Sequence, residues 1–313
     1  MEQAMTVGQD GTSAWDEVRV RREIMAVFAK KRLKRRIVDG AMSTVLCVCA
    51  VMVLVPLFSI LFHLISQGIT AINLDFLTKL PRAVGEPGGG MANAIVGTII
   101  LLGIASLIGV PIGLGTGIYL SEYATARFAR VVRFVTDVMN GIPSIVYGIF
   151  AYTLCVLPMK SFSAMAGGFA LGIMMIPIVT RTTEDFVRMV PQSLREAALA
   201  LGAPKWRMIL DIVVSSARAG IVTGIMVSLA RVAGETAPLL FTAFGNRHWT
   251  RGFHEPIAAL PLQIFAYAIS PFDDWHRQAW AGALVLIFLV FAVNLAANYF
   301  VWRQKNILSP KKG

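Results

Sequence analysis

Six apolar stretches punctuate the chain, at about residues 40–65, 92–120, 134–157, 164–180, 217–241 and 279–302. Each reaches or approaches the roughly 20 residues that an α-helix needs to cross a bilayer. The fourth is the shortest and carries Pro177. The second holds Gly109, Gly113 and Gly117 at GxxxG spacing. Small residues so placed let helices approach closely, within the chain or against another subunit. The third contains Asn140-Gly141-Ile142-Pro143-Ser144. Polar residues beside Gly and Pro inside a span predict a kink or a break. Between the fourth and fifth stretches, residues 191–215 have a pattern of their own. Ser193 and Glu196 are spaced as a capping box, helix formers occupy 197–201, and Gly202 is a stop. Pro204 suits the start of a second helix bearing Lys205, Trp206 and Arg207. The pattern predicts a short helical hairpin in water beside the membrane.

Composition agrees with this pattern. Of the 313 residues, 56% are hydrophobic and 15% charged, where a soluble domain carries about 25% charge. The expectation is an all-α integral membrane protein with six transmembrane helices. It comprises a basic tail over 1–38, a six-span domain over 39–303 that includes the hairpin, and a short C-terminal tail over 304–313. Cys47, Cys49 and Cys155 lie in apolar runs with no disulfide or metal pattern and are read as small core residues.

The net charge of +11 is partitioned rather than spread over one face. With the N-terminus in the cytoplasm, 21 of the 29 Lys and Arg fall inside and 6 outside, and Arg181 and Arg231 belong to the spans. Cytoplasmic loops accumulate positive residues, so both termini and the hairpin are expected in the cytoplasm, and no nucleic-acid partner is implied. The tail holds nine of these charges, with a dense run from Lys30 to Arg36, and is read as a solvated arm touching anionic lipid. In the outer loop 245–278, His248, His254 and His276 lack metal-ligand spacing. That loop is read as a surface that meets an external protein, with Trp249 and Trp275 marking the membrane interface. No GxxxxGK[ST] motif occurs. The chain is therefore expected not to be an enzyme, and to need a partner if ATP drives it.

Charged residues inside the spans are the candidate chemistry. Arg231 and Glu235 are four residues apart in the fifth stretch. A charge at this depth costs roughly 2.5–3.5 kcal/mol or more, so such residues face the protein interior and pair. Either they form a structural i,i+4 bridge, or Arg231 meets an anion in a pathway and Glu235 tunes it. Guanidinium suits phosphate because its fork of donors matches two oxygens. Arg181 and Glu184 repeat the arrangement at the end of the fourth stretch, where Arg181 is close enough to the cytoplasm to snorkel.

Two segments carry a resemblance. Glu196-Ala197-Ala198, with Gly202 after three further residues, resembles the EAA loop of ABC-importer permeases. The segment from Ala230 to Leu240, ARVAGETAPLL, resembles one that marks phosphate-importer permeases of the Pst system. With REAALALGA it is similar to the PstA-type subunits. The resemblance extends over roughly residues 40–303, its specific motifs over about 60 of them. It implies the type I ABC importer permease fold, phosphate import through half of a shared pathway, and a location in the bacterial inner membrane. It also implies pathway residues Arg181, Glu184, Arg231 and Glu235. Coupling to a separate ATPase would run through Glu196, Ala197, Ala198, Gly202, Lys205, Trp206 and Arg207. The implied partners are a second permease (PstC-type), an ATPase dimer (PstB-type) that binds ATP and Mg2+, and an external phosphate-binding protein (PstS-type). No cofactor or metal is expected on this chain. The family pattern continues as Ile-x-Leu-Pro, where this chain has Ile212, Val213, Val214 and Ser215, so the turn after the second hairpin helix is open.

Three other readings stay open on sequence alone. One is an ABC permease for another oxyanion, molybdate or sulfate. Another is an ion-coupled secondary transporter, although no inverted repeat is evident. The third is a membrane scaffold or sensor whose hairpin binds a signalling partner.

Overall fold

The computed structural model describes residues 14–308 apart from Val84, Gly85 and Pro87. The first 13 residues of the expected basic tail and residues 309–313 of the C-terminal tail lie outside the described residues. The chain divides into two units, residues 1–63 and 64–313.

The first unit holds most of α1 (Ala14–Ala71). From residue 35 to 63 every side chain of this helix is exposed, and from residue 40 nearly all are apolar. An apolar surface of that length is stable only against lipid or another apolar chain. Cys47 and Cys49 share this exposure and Cys155 is half-buried, which corrects their reading as core residues. The segment is apolar all round, so periodicity could not show which side a neighbour would cover.

The second unit is built on a parallel pair, α3 (Ala92–Glu122) and α7 (Ala164–Arg188), with the short α2 (Leu74–Thr78) preceding α3. Gly109, Gly113 and Gly117 lie against α7, and a Cβ there would meet Met175 Cβ, Val179 Cβ and Thr180 O at 2.6, 2.6 and 2.7 Å. The GxxxG spacing thus serves packing within the chain. α10 (Ser215–Ala233) lies antiparallel on α7, with Gly220 against Phe186 and Gly224 against Thr182.

The third apolar stretch is not one straight span. It forms α4 (Ala126–Gly141), α5 (Ser144–Ala151), a π-helical turn (Tyr152–Val156) and α6 (Leu157–Met159), with a bend of 101° between Gly141 and Ser144. Pro143 lacks the N–H that would continue the helix and drives Ile142 out of helical geometry, and Ile142 adopts φ −70°, ψ 131°. Tyr147 closes the bend by donating its hydroxyl to Met139 O at 2.6 Å.

The hairpin consists of α8 (Gln192–Ala200) and α9 (Lys205–Arg207), joined at Gly202 with φ +80°. The expected capping box does not form: Pro191 is the N-cap, without a side-chain cap, and Ser193 sits inside the first turn. There is no turn after α9 either. The helix continues through a π-helical segment, Met208–Val214, into α10, where the family pattern would place Leu-Pro.

At the opposite end, α12 (Leu260–Ala268) and the start of α13 (Asp273–Leu308) pack with Phe76 and Met91, while α11 (Ala237–Thr242) lies against α5 and α7. Trp275 is buried there, stacked on Tyr267 at 4.4 Å, so it is a core residue and not an interface marker. Among the described residues, five helices are long and apolar enough to cross a membrane, and the bent pair α4–α6 brings the number to six if it counts as one crossing.

Candidate functional site: two arginine stations in the membrane segments

α7 runs eight residues beyond the predicted end of the fourth stretch, to Arg188, and carries Glu184 into the interior at 1% exposure. Three guanidinium groups converge on this carboxylate. Arg133 donates its Nε to Oε1 at 2.7 Å. Arg188 Nη2 lies 3.0 Å from the same oxygen, and Arg181 Nη1 lies 3.9 Å from Oε2. A buried carboxylate is strongly disfavoured without opposite charge, so Glu184 depends on this ring. The ring in turn holds two positive charges more than it neutralises. Next to it the Thr180 and Thr183 hydroxyls and Glu184 Oε2 are buried without a hydrogen-bond partner among the described residues.

The second station lies where α10 ends. The helix stops at Ala233, Gly234 caps it, and α11 begins after Thr236 with Pro238 in its first turn. Arg231 is therefore in the last turn of a helix, not midway along one, and Glu235 is on the break itself. Arg231 Nε and Glu235 Oε1 are 4.0 Å apart, the outer limit of an ion pair, and the Arg231 side chain is 50% exposed. A structural bridge would be shorter and more enclosed. Broken backbone at membrane depth needs cover. α5 supplies part of it, since a Cβ at Gly148 would lie 2.7 Å from Pro238 Cα.

The two stations are separate. Residues 220–224 of α10 lie level with 186–182 of α7. At 1.5 Å rise per residue, Arg231 is about 11–14 Å farther from the hairpin end than Glu184. Of the four residues expected to line a pathway, the structure pairs Arg181 with Glu184 and Arg231 with Glu235, and does not bring the pairs together. The bent α4–α5 pair serves both levels: α4 delivers Arg133 to Glu184, and Gly148 on α5 lies against Pro238 beyond the break that holds Glu235.

Arg133 and Arg188 were missed in the sequence, where both counted as cytoplasmic loop charges. A signal for each existed. Arg188 follows Glu184 by four residues, the spacing of a helical ion pair. Arg133 shares a 3.6-residue face with Ala129 and Thr136, both buried.

In the hairpin, the expected coupling residues divide. Glu196, Ala197, Gly202, Trp206 and Arg207 are exposed, with the Arg207 guanidinium 5.3 Å from the centre of the Trp206 ring. Ala198 turns inward to a small core with Val187, Met208 and Val213. Lys205 lies over Tyr123 at 4.4 Å and donates to Glu122 O at 3.0 Å.

Known proteins share this architecture. Residues 109–306 match the family described as "Binding-protein-dependent transport system inner membrane component". The "Phosphate transport system permease protein PstA" of Xylella fastidiosa (strain Temecula1) is 46% identical over 274 residues, covering 87% of this chain and 95% of that protein. The Yersinia pestis protein of the same name is 46% identical over 248 residues, covering 79% and 84%. "Phosphate transport system permease protein PstA 1" of Mycobacterium tuberculosis (strain H37Rv) is 39% identical over 276 residues, covering 87% and 90%. Among solved structures, a chain of a bacterial alginate ABC transporter in complex with an alginate pentasaccharide-bound periplasmic protein superposes with a TM-score of 0.63. It is 14% identical and covers 87% of this chain and 96% of that one. A chain of the MetNI methionine ABC transporter gives 0.57 at 19% identity, covering 68% and 96%. These two likenesses establish the permease fold. On the match over residues 109–306 and the identity to PstA proteins along most of its length, the chain belongs to the binding-protein-dependent transport system inner membrane components, in the PstA group of permeases.

Proposed function

We propose that this chain is a permease subunit of an ATP-driven importer of inorganic phosphate, forming half of the pathway in a bacterial inner membrane. The observation that carries the reading is the excess of guanidinium at two depths: three arginines on the single carboxylate of Glu184, and the half-exposed Arg231 beyond it. An oxyanion can take the place of a carboxylate against a guanidinium fork. Glu184 and Glu235 then act as resident counter-ions that phosphate displaces in passing, which favours brief contacts over a tight site. The names of the relatives support phosphate over molybdate or sulfate.

Arg231 also supports an incomplete pathway. A charge at membrane depth with half its side chain uncovered would be costly against lipid, so a second permease is the expected cover. The hairpin, with Glu196, Ala197, Trp206 and Arg207 outward, suits docking to a separate ATPase that binds ATP and Mg2+. An external phosphate-binding protein would deliver the solute to the α12 end. Hairpin motion can shift the pathway between states only through contacts that differ between them.

The test is ATP-dependent uptake of labelled phosphate by proteoliposomes holding the complete complex, with sulfate and molybdate as competitors. Uptake that excess sulfate and molybdate leave unchanged supports phosphate. Uptake abolished by either would replace it with the corresponding oxyanion.

A further inference from the structure

The best-enclosed ion pair between separate helices among the described residues takes no part in either arginine station. Glu122, the last residue of α3, meets Arg195 of the hairpin helix α8, with Nη2 and Nε at 2.8 and 3.3 Å from Oε1. The two side chains are 11% and 7% exposed, Arg195 first. The same guanidinium also donates to Val190 O, and to Val187 O at 2.9 Å, at the end of α7. Carbonyls at a helix end have no partner within the helix, so Arg195 binds the ends of α3 and α7 and the hairpin with one rigid group of five donors. Lys205 adds a second tie from α9 to Glu122 O and Tyr123.

α3 and α7 are in close contact at Gly109, Gly113 and Gly117, where no side chain of α3 stands between the two helices. Glu184 lies on α7 one turn before Val187. Arg195 thus connects the hairpin to the helix that carries Glu184 by a route that does not follow the chain.

We propose that Glu122 and Arg195 are positioning residues that lock the hairpin to the α3–α7 pair, so that ATPase-driven motion reaches Glu184 instead of being absorbed at the 189–191 junction. This rests on the reading of the hairpin as the ATPase dock.

The test uses the complete complex with Cys47, Cys49 and Cys155 replaced by alanine and spin labels at Leu201→Cys on the hairpin and Leu107→Cys on α3, both exposed positions. The locked body should give one narrow distance, unchanged by ATP. Arg195→Gln and Glu122→Gln should each broaden it and lower phosphate moved per ATP hydrolysed at least tenfold, counted per assembled complex. Arg195→Lys should fall between. The double variant should be no worse than either single one, as for two halves of one contact. An unchanged distance and an unchanged transport ratio in Arg195→Gln would overturn the proposal. So would a loss of uptake that only follows the amount of complex assembled, or additive effects in the double variant. If the unaltered complex hydrolyses ATP without moving phosphate, the solute assignment fails, while the label distances still decide the lock.

Discussion

Arg133 on α4 reaches Glu184 on α7 with a 2.7 Å hydrogen bond from Nε to Oε1, across a sequence separation of 51 residues. This contact makes the amphipathic helix before the bend part of the charged centre. Glu184 has other cations to fall back on, whereas the three arginines have only Glu184 within 4 Å among the described residues.

The asymmetry sets an order of effects. Glu184→Gln leaves three guanidinium groups facing one another and should destabilise the purified complex by about 3–5 kcal/mol, the range for breaking a buried pair. Arg133→Gln leaves Arg188 and Arg181 on the carboxylate and should cost about 1.5–3 kcal/mol, as for a hydrogen bond to a charged group. Thermal unfolding followed by tryptophan fluorescence compares them. The reverse order would show that Arg133, not Glu184, holds the cluster.

The α3–α7 contact gives a paired prediction. Gly113→Ala places a methyl 2.6 Å from Val179 Cβ, whereas Gly115→Ala enters open space. The first should cost about 1–3 kcal/mol by overpacking. The second should be neutral within the chain. Recovery of folded protein after detergent extraction distinguishes them, and equal recovery of the two would contradict the observed helix register.

Much of this fold was legible. Apolar runs placed five of the six candidate crossings, and Gly202 ended a helix where its backbone freedom suggested. Three features were not. The bend at Pro143 was weighed only as a kink or a break, because a proline signals interruption and not angle. α12 is too short to register as a span, and its burial arises from distant partners such as Thr98, whose Oγ1 accepts from Leu260 N at 2.8 Å. Ser193–Glu196 has the spacing of a capping box, but Pro191 begins the helix earlier and places Ser193 inside it. In the site, the same-helix pairs Arg181–Glu184 and Arg231–Glu235 were found. Arg188 and Arg133 were not, since loop-charge counting had already assigned both to the cytoplasm, and the partner of Arg133 lies on another helix.

The partition of Lys and Arg predicts sidedness. In a cysteine-free background, Leu201→Cys should react with a membrane-impermeant maleimide only from the cytoplasmic face, and Trp249→Cys only from the outer face. Both positions are well exposed in the chain. Labelling of Leu201→Cys from outside would reverse the orientation and remove the hairpin from any cytoplasmic ATPase.

The central claim is that the membrane arginines carry the anion, and Arg231 tests it most directly because Glu235, its one ion-pair partner among the described residues, is at the 4.0 Å limit. ATP-dependent phosphate uptake should be measured in proteoliposomes with Arg231→Gln beside the unaltered complex, with assembly and ATP hydrolysis followed in parallel. The account predicts uptake reduced at least a hundredfold, about 2.7 kcal/mol at 1.36 kcal/mol per factor of ten, with assembly and hydrolysis intact. Uptake at the unaltered rate would contradict it and leave Arg231 as one half of a loose structural pair.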